Sequence, residues 1–340
     1  MLDGRVDLDH PCFEGADLTQ LPTMVPAGSD PRGRMAAHGT HVASLLFGQP
    51  NTPIEGIAPA CRGLSVPVFS DDDVVLSQLD LARALNQAVE AGANVINVSG
   101  GQMTHSGEAE DLLAQAVQNC ANHGVLIVAA AGNDGCACLH VPAALPAVLA
   151  VGAMDDAKRP LQSSNWGDAY RLRGILAPGL DVVGAEPGGG TVSRTGSSFA
   201  TPIVAGVAGL LLSRQVQLDE IPDPLAVRRA LLDSAAPCAV SDAQASGQCL
   251  LGTLDVTHAM KLLTGETMER ETDTLEQVIP QEPPTAPQNQ VEPSGCGCGG
   301  TQASDEAKGA KPAPPPTVAP PPTEPAGAPR LGLCHRNAGL

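Results

Sequence analysis

The sequence predicts an α/β fold in three layers: a central, mostly parallel sheet with helices on both faces, followed by a disordered Pro/Gly-rich C-terminal tail. Three observations carry this. Asn94–Val98, Glu108–Gly124 and Gly124–Ala131 read in turn as buried strand, amphipathic helix and buried strand, the spacing of a βαβ unit. Aromatic residues make up only 2% of the 340 residues, so the core has to be built from Ala, Val, Leu and Ile with many glycines. That composition suits buried parallel strands and close helix packing. After about Thr264 the chain turns acidic and polar, then Pro-rich, and cannot bury enough apolar surface to fold.

Taken in order, Leu2-Asp3-Gly4 puts an acid at the end of a strand of which only Met1 and Leu2 precede it. A parallel-sheet strand runs to several residues, so the expectation is that Val/Ile/Leu-rich residues precede Met1 in the natural chain. Residues 12–35 carry Gly and Pro punctuation and read as loop. His38 opens an apolar helix running to about Phe47. Strand signals follow in Gly56–Val68, and Ser77–Gly92 has helical periodicity, with Leu81, Leu85, Ala88 and Val89 on one face. Asn94–Val98 ends in Ser99-Gly100-Gly101, and the strand through Ala131 delivers Gly132 and Asn133. Thr195–Pro202 is a glycine-tight turn leading into the apolar run Ile203–Leu212, a long buried helix. Pro224–Ala235 and Leu254–Leu263 read as closing helices.

The turn at Gly196 exposes a serine, Ser197 or Ser198, just where that helix begins. Helix N–H groups and the positive end of the helix favour a developing oxyanion there. Ser is also a preferred N-cap, so the stretch alone fits an ordinary capped core helix equally well. His38 supplies a base; His41, three residues on, lies about a turn deeper and is expected to pack. Asp3 and Asp7 both follow apolar residues and compete for the acid role.

The acid, the histidine and the serine come in that order along the chain. With His38-Gly39-Thr40-His41-Val42-Ala43, Ala131-Gly132-Asn133-Asp134-Gly135 and Gly196-Ser197-Ser198-Phe199-Ala200-Thr201-Pro202, the chain resembles the subtilisin-like serine proteases over residues 1–264. Its opening, Leu2-Asp3-Gly4-Arg5-Val6-Asp7-Leu8-Asp9-His10-Pro11-Cys12-Phe13, is similar to that of the cyanobactin maturation proteases. The resemblance implies a subtilisin-like fold over 1–264, with 265–340 as tail. It implies Ser198 as nucleophile, His38 as base, Asp3 as its partner and Asn133 as oxyanion donor. Ser99, Gly100 and Gly101, with Ala131 and Gly132, resemble the two backbone edges that hold a peptide as an added strand. Val141–Ala153 resembles the family's next strand, and Ser164–Gly167 and Leu176–Gly179 look like further family segments. No metal or other cofactor is implied.

A net charge of −18 argues against nucleic acid or an anionic membrane as partner. No signal-peptide pattern and no run of membrane-spanning length is visible, which points to the cytoplasm. The ten cysteines fit no regular framework; thiols are the expected state, with Cys238 and Cys249 the one pair to test for a bridge. Cys136-Ala137-Cys138 and Cys296-Gly297-Cys298 lack zinc or redox spacing. The implied function is a serine endopeptidase that removes the leader of a ribosomally made precursor peptide, the tail's partner being unknown. A degradative subtilisin, a cyclising relative and a decayed scaffold are the alternatives. The loop-like stretch between Asp3 and His38 speaks against the helical cap of a cyclising enzyme, and the intact set of four chemical groups speaks against decay.

Overall fold

A computed structural model describes residues 1–22, 30, 32–71, 77–239 and 247–265. The chain runs β1 (Leu2–Asp3), β2 (Leu18–Gln20), α1 (Arg34–Phe47), β3 (Gly63–Pro67), α2 (Gln78–Glu90), β4 (Val95–Val98) and β5 (Gln102–Thr104). It continues with α3 (Asp111–Asn122), β6 (Leu126–Ala130), β7 (Leu139–Val141), β8 (Val148–Met154), β9 (Gly174–Pro178), β10 (Val182–Glu186) and β11 (Gly190–Arg194). It closes with α4 (Ser197–Gln217), α5 (Pro224–Asp233) and α6 (Val256–Thr264).

Seven strands form one sheet in the order β2-β3-β1-β4-β6-β8-β9, and every pairing in it is parallel. Two small antiparallel ribbons, β5–β7 and β10–β11, stand beside it. Side chains alternate across the sheet with period two. Leu126, Val128, Leu149 and Val151 pack with α1, α4, α5 and α6, whereas Ile127, Ala129, Val148 and Ala150 pack with α2 and α3. Because parallel strands all point the same way, Asp3, Ser99 and Ala131 emerge at one sheet edge, where ligands of open α/β folds bind.

Four sequence expectations about helices and strands change. The 12–35 stretch is not all loop: Pro11–Phe13 forms a 3-10 turn, and Leu18–Gln20 joins the sheet edge against Gly63–Ser65. His38 does not open α1, which begins four residues earlier at Arg34 and places His38 in its second turn. Met35 N–H is accepted by the Asp71 carboxylate, a cap supplied from elsewhere in the chain. Val141–Ala153 is two strands rather than one, β7 and β8 separated by a turn. Finally, among the described residues α4 is long and apolar enough to cross a membrane, although most of it is buried in the core.

Two disulfides are present, Cys136–Cys138 and Cys238–Cys249. The second was the pair singled out from the sequence; the first corrects the expectation of thiols. Cys12, Cys61 and Cys120 are free. Cys296, Cys298 and the tail from residue 266 lie outside the described residues. β1 has only two residues, and the Met1 ammonium donates to Leu64 O; its burial holds its pKa down to about 5, against the raising effect of Asp3.

Candidate active site

Asp3 ends β1 fully buried, and α1 crosses above it. The Asp3 Oδ1 accepts Gly4 N–H at 2.7 Å and faces His38 Nδ1 at 2.7 Å. A carboxylate holding Nδ1–H leaves the lone pair on Nε2, so the imidazole is set to accept a proton on its far side. The His38 side chain is 17% exposed while that of Asp3 is 0%, so the pair is wet only on the histidine side. There His38 lines a cavity of about 370 Å³ with Ser198, Ser99, Gly100 and Gly101. No direct His38–Ser198 hydrogen bond occurs among the described residues, and such bonds are often long before substrate arrives.

The start of α4 separates the two serines. Gly196, at φ +149°, makes the turn, and a Cβ there would sit 3.1 Å from Asn133 Oδ1. Only glycine combines that backbone with that approach. Ser197 is fully buried, exchanging hydrogen bonds with Gly132 N–H and O at 3.3 and 3.2 Å. Its N–H is taken by Asn133 Oδ1 at 2.8 Å, and Thr201 Oγ1 donates to its carbonyl. Ser198 is half-buried at the cavity. Its N–H, one of the first-turn donors a helix cannot satisfy itself, has no partner among the described residues. With Oδ1 engaged by Ser197, the Asn133 NH₂ has no hydrogen-bond partner among the described residues, and Asn133 is exposed.

The competitors are occupied elsewhere. Asp7 accepts Gly188 N–H at 2.8 Å. His41 is buried under Phe199, its Nε2 donating to Val182 O and Val192 O at 3.1 and 3.2 Å, which ties the β10–β11 hairpin to α1. Burial holds its pKa down to about 4 from 6.5, so it stays neutral.

That depression has a stability consequence. Below pH 6.5 the unfolded chain takes up a proton that folded His41 refuses, so the contribution is fully present above 6.5 and is lost as pH falls towards 4. The shift is worth about 3 kcal/mol. The wild type is therefore expected to lose more unfolding free energy between pH 7 and pH 4 than His41→Gln, measured by urea denaturation. Equal losses would mean that His41 is protonated in the fold.

Around Gly132 the structure adds residues to which the sequence assigned no role. Tyr170, fully buried, donates to Ala131 O at 3.1 Å and accepts His140 N–H at 2.7 Å. Burial pushes its pKa up to about 12, which keeps the donor proton in place. Asp134 Oδ2 accepts from His140 Nε2 at 2.7 Å and Asn165 Nδ2 at 2.8 Å, and Asn165 Oδ1 accepts Asp134 N–H at 2.8 Å. The Asn165 hydrogen bond, then His140, hold the Asp134 carboxyl below its usual range. Asp134 follows Asn133 directly, so adjacency was the available signal; His140 gave none. Among the described residues no three His, Cys, Asp or Glu side chains group as metal ligands.

A buried acid on a histidine, a serine at a helix N-terminus on the same cavity, and an asparagine on the bend after β6 are the arrangement of a serine-peptidase type of site. The subtilase family profile matches residues 2–271, and the chain belongs to that family. It therefore carries a subtilisin-like serine peptidase domain.

Among solved structures it is similar to the patellamide maturation protease PatA, at 61% identity over 78% of this chain and 95% of that one, TM-score 0.72. The prenylagaramide maturation protease PagA is 57% identical over 78% of this chain and 92% of its own, TM-score 0.73. The PatG macrocyclase in complex with peptide is 35% identical over 78% and 90%, TM-score 0.69. A thermophilic serine proteinase from Bacillus sp. (strain AK1) is 36% identical over 216 residues, 63% of this chain. The match spans about half of that proteinase, 51% of its length.

Proposed function

We propose that this subtilase is a cytoplasmic serine endopeptidase that cuts the leader from a ribosomally made precursor peptide. Ser198 attacks the scissile carbonyl, and His38 takes its proton and passes it to the leaving amine. Asp3 holds the imidazole in its productive tautomer and stabilises its charged form. The Ser198 N–H and the Asn133 NH₂ donate to the oxyanion, while Ser99–Gly101 and Ala131–Gly132 pair with the substrate main chain. The observation that carries the chemistry is the 2.7 Å Asp3–His38 pair, opening on the cavity that Ser198 lines.

Identities of 57 and 61% to two maturation proteases, against 35% to a macrocyclase and 36% to a Bacillus proteinase, favour leader removal over cyclisation or degradation. A cytoplasmic protease must be selective. Strand pairing supplies little discrimination, so remote residues of the substrate have to align the scissile bond.

A precursor peptide with a recognition element just before its core is expected to be cut once, and unfolded casein poorly, as followed by mass spectrometry. Rapid digestion of casein into many fragments would favour degradation. Asn133→Ala is expected to lower kcat on the order of 10²–10³ with little change in KM, because its donor acts mainly in the transition state. A raised KM at unchanged kcat would make Asn133 a binding residue instead.

A further inference from the structure

Neither disulfide enters the chemistry described so far, and the two differ. Cys238–Cys249 spans eleven steps of chain and buries Cys249, as a bond that holds a fold does. Cys136–Cys138 spans only two, with both cysteines half-buried and Ala137 between them exposed. So short a loop removes little freedom from the unfolded chain, and the bond adds little to global stability. In the cytoplasm proposed above, a disulfide is usually transient and redox-sensing rather than structural, and the exposed ones are the labile ones.

Its position gives this bond a lever. Residues 133–138 join the oxyanion donor to β7 and are pinned along their length to residues 163–166. Asp134 N–H is accepted by Asn165 Oδ1 at 2.8 Å and Gly135 N–H by Ser163 O at 2.9 Å, while Cys136 O accepts Trp166 N–H at 3.1 Å. The last of these pins is the carbonyl of a bridged residue. With the bridge closed, Cys136 and Cys138 cannot turn independently, and that carbonyl stays on Trp166. With it open, the stretch regains its torsional freedom and a pin three residues from Asn133 loosens. The Asn133 side chain has one hydrogen bond among the described residues, Oδ1 on Ser197 N–H, so its aim depends on its backbone.

We infer that Cys136–Cys138 is a thiol–disulfide exchange site for small thiols of the glutathione class, and that its state sets how well Asn133 is placed for the oxyanion. A glutathione thiolate attacks one sulfur, and the other cysteine leaves as a thiolate and takes up a proton. A second glutathione thiolate attacks the mixed disulfide, releasing the first cysteine as a thiol and forming glutathione disulfide. Two electrons pass to the protein, and two glutathiones are oxidised to one disulfide. The buried thiols do not compete as nucleophiles. Burial pushes Cys12 up to about 12 and Cys120 up to about 11, which keeps both protonated. The effect on activity rests on Asn133 being the oxyanion donor of the proposed function; the exchange itself does not.

The test equilibrates the full chain in glutathione buffers of graded composition, traps thiols with iodoacetamide and maps them by mass spectrometry. Cys136–Cys138 is expected to open at a reduced-to-oxidised glutathione ratio at least about tenfold lower than Cys238–Cys249. In the same buffers the rate of fluorophosphonate labelling at Ser198 and kcat on succinyl-Ala-Ala-Pro-Ala-p-nitroanilide are measured. Both are expected to fall about three- to tenfold in the dithiol state, less than the loss of an oxyanion donor outright, with KM steady and recovery on reoxidation.

The double variant Cys136→Ser/Cys138→Ser is expected to show the dithiol rate in every buffer. In Asn133→Ala the dependence on glutathione is expected to vanish, which a bond with a merely structural role would not produce. A pair that stays closed until Cys238–Cys249 opens overturns the inference. So does a rate equal in both states, or a redox dependence that survives in Asn133→Ala. Failure of the oxidised wild type to label at Ser198 would instead remove the peptidase reading beneath the switch, while the alkylation map still decides the exchange.

Discussion

Ser198→Ala is expected to abolish fluorophosphonate labelling and to lower kcat by several orders of magnitude, leaving the residual rate that oxyanion donors and binding supply without a nucleophile. The neighbouring Ser197→Ala serves as the control. Ser197 is fully buried and spends its hydroxyl on Gly132, so losing it costs packing and a hydrogen bond rather than a reacting atom. Its expected signature is a lower Tm with labelling retained. Labelling that survives in Ser198→Ala and vanishes in Ser197→Ala would exchange the two roles. Thermal melts of both variants separate lost chemistry from lost structure.

Asp3→Asn is expected to lower kcat on the order of 10⁴ while KM changes little. The reason lies in the single oxygen that serves two donors. Asp3 Oδ1 accepts from both Gly4 N–H and His38 Nδ1, and Oδ2 is buried without a partner. An asparagine that keeps its oxygen at the Oδ1 position still orients the ring, but it offers no charge to stabilise imidazolium and buries an unpaired NH₂. Turned the other way, it points an NH₂ at two donors and forces the wrong tautomer. Either arrangement damages the step in which His38 becomes charged. A loss of less than tenfold would show that the 2.7 Å pair is structural.

The parts legible in advance share one property: their signal is local. The period-3.6 apolar face of Ser77–Gly92 and the unbroken run Val125–Ala131 report burial on one side or both, whatever their partners are. The turn at Gly196 and the order of the three motifs likewise point to a serine, a histidine and an acid as candidates without any distance. Misreadings fall where a distant segment decides. Leu18–Gln20 is a strand because Gly63–Ser65 runs beside it, and three residues carry no period of their own. Arg34 begins α1 because Asp71 caps the helix from across a loop.

By itself, then, the sequence determined the α/β class and the family. Those are matters of composition, periodicity and motif, all of which survive without coordinates. Only the tertiary structure decided which of two histidines faces solvent, which of two serines is spent on packing, and that Cys136 reaches Cys138. It alone set His140 beside both Gly101 and Gly132, since the register between β5 and β7 pairs residues nearly forty positions apart.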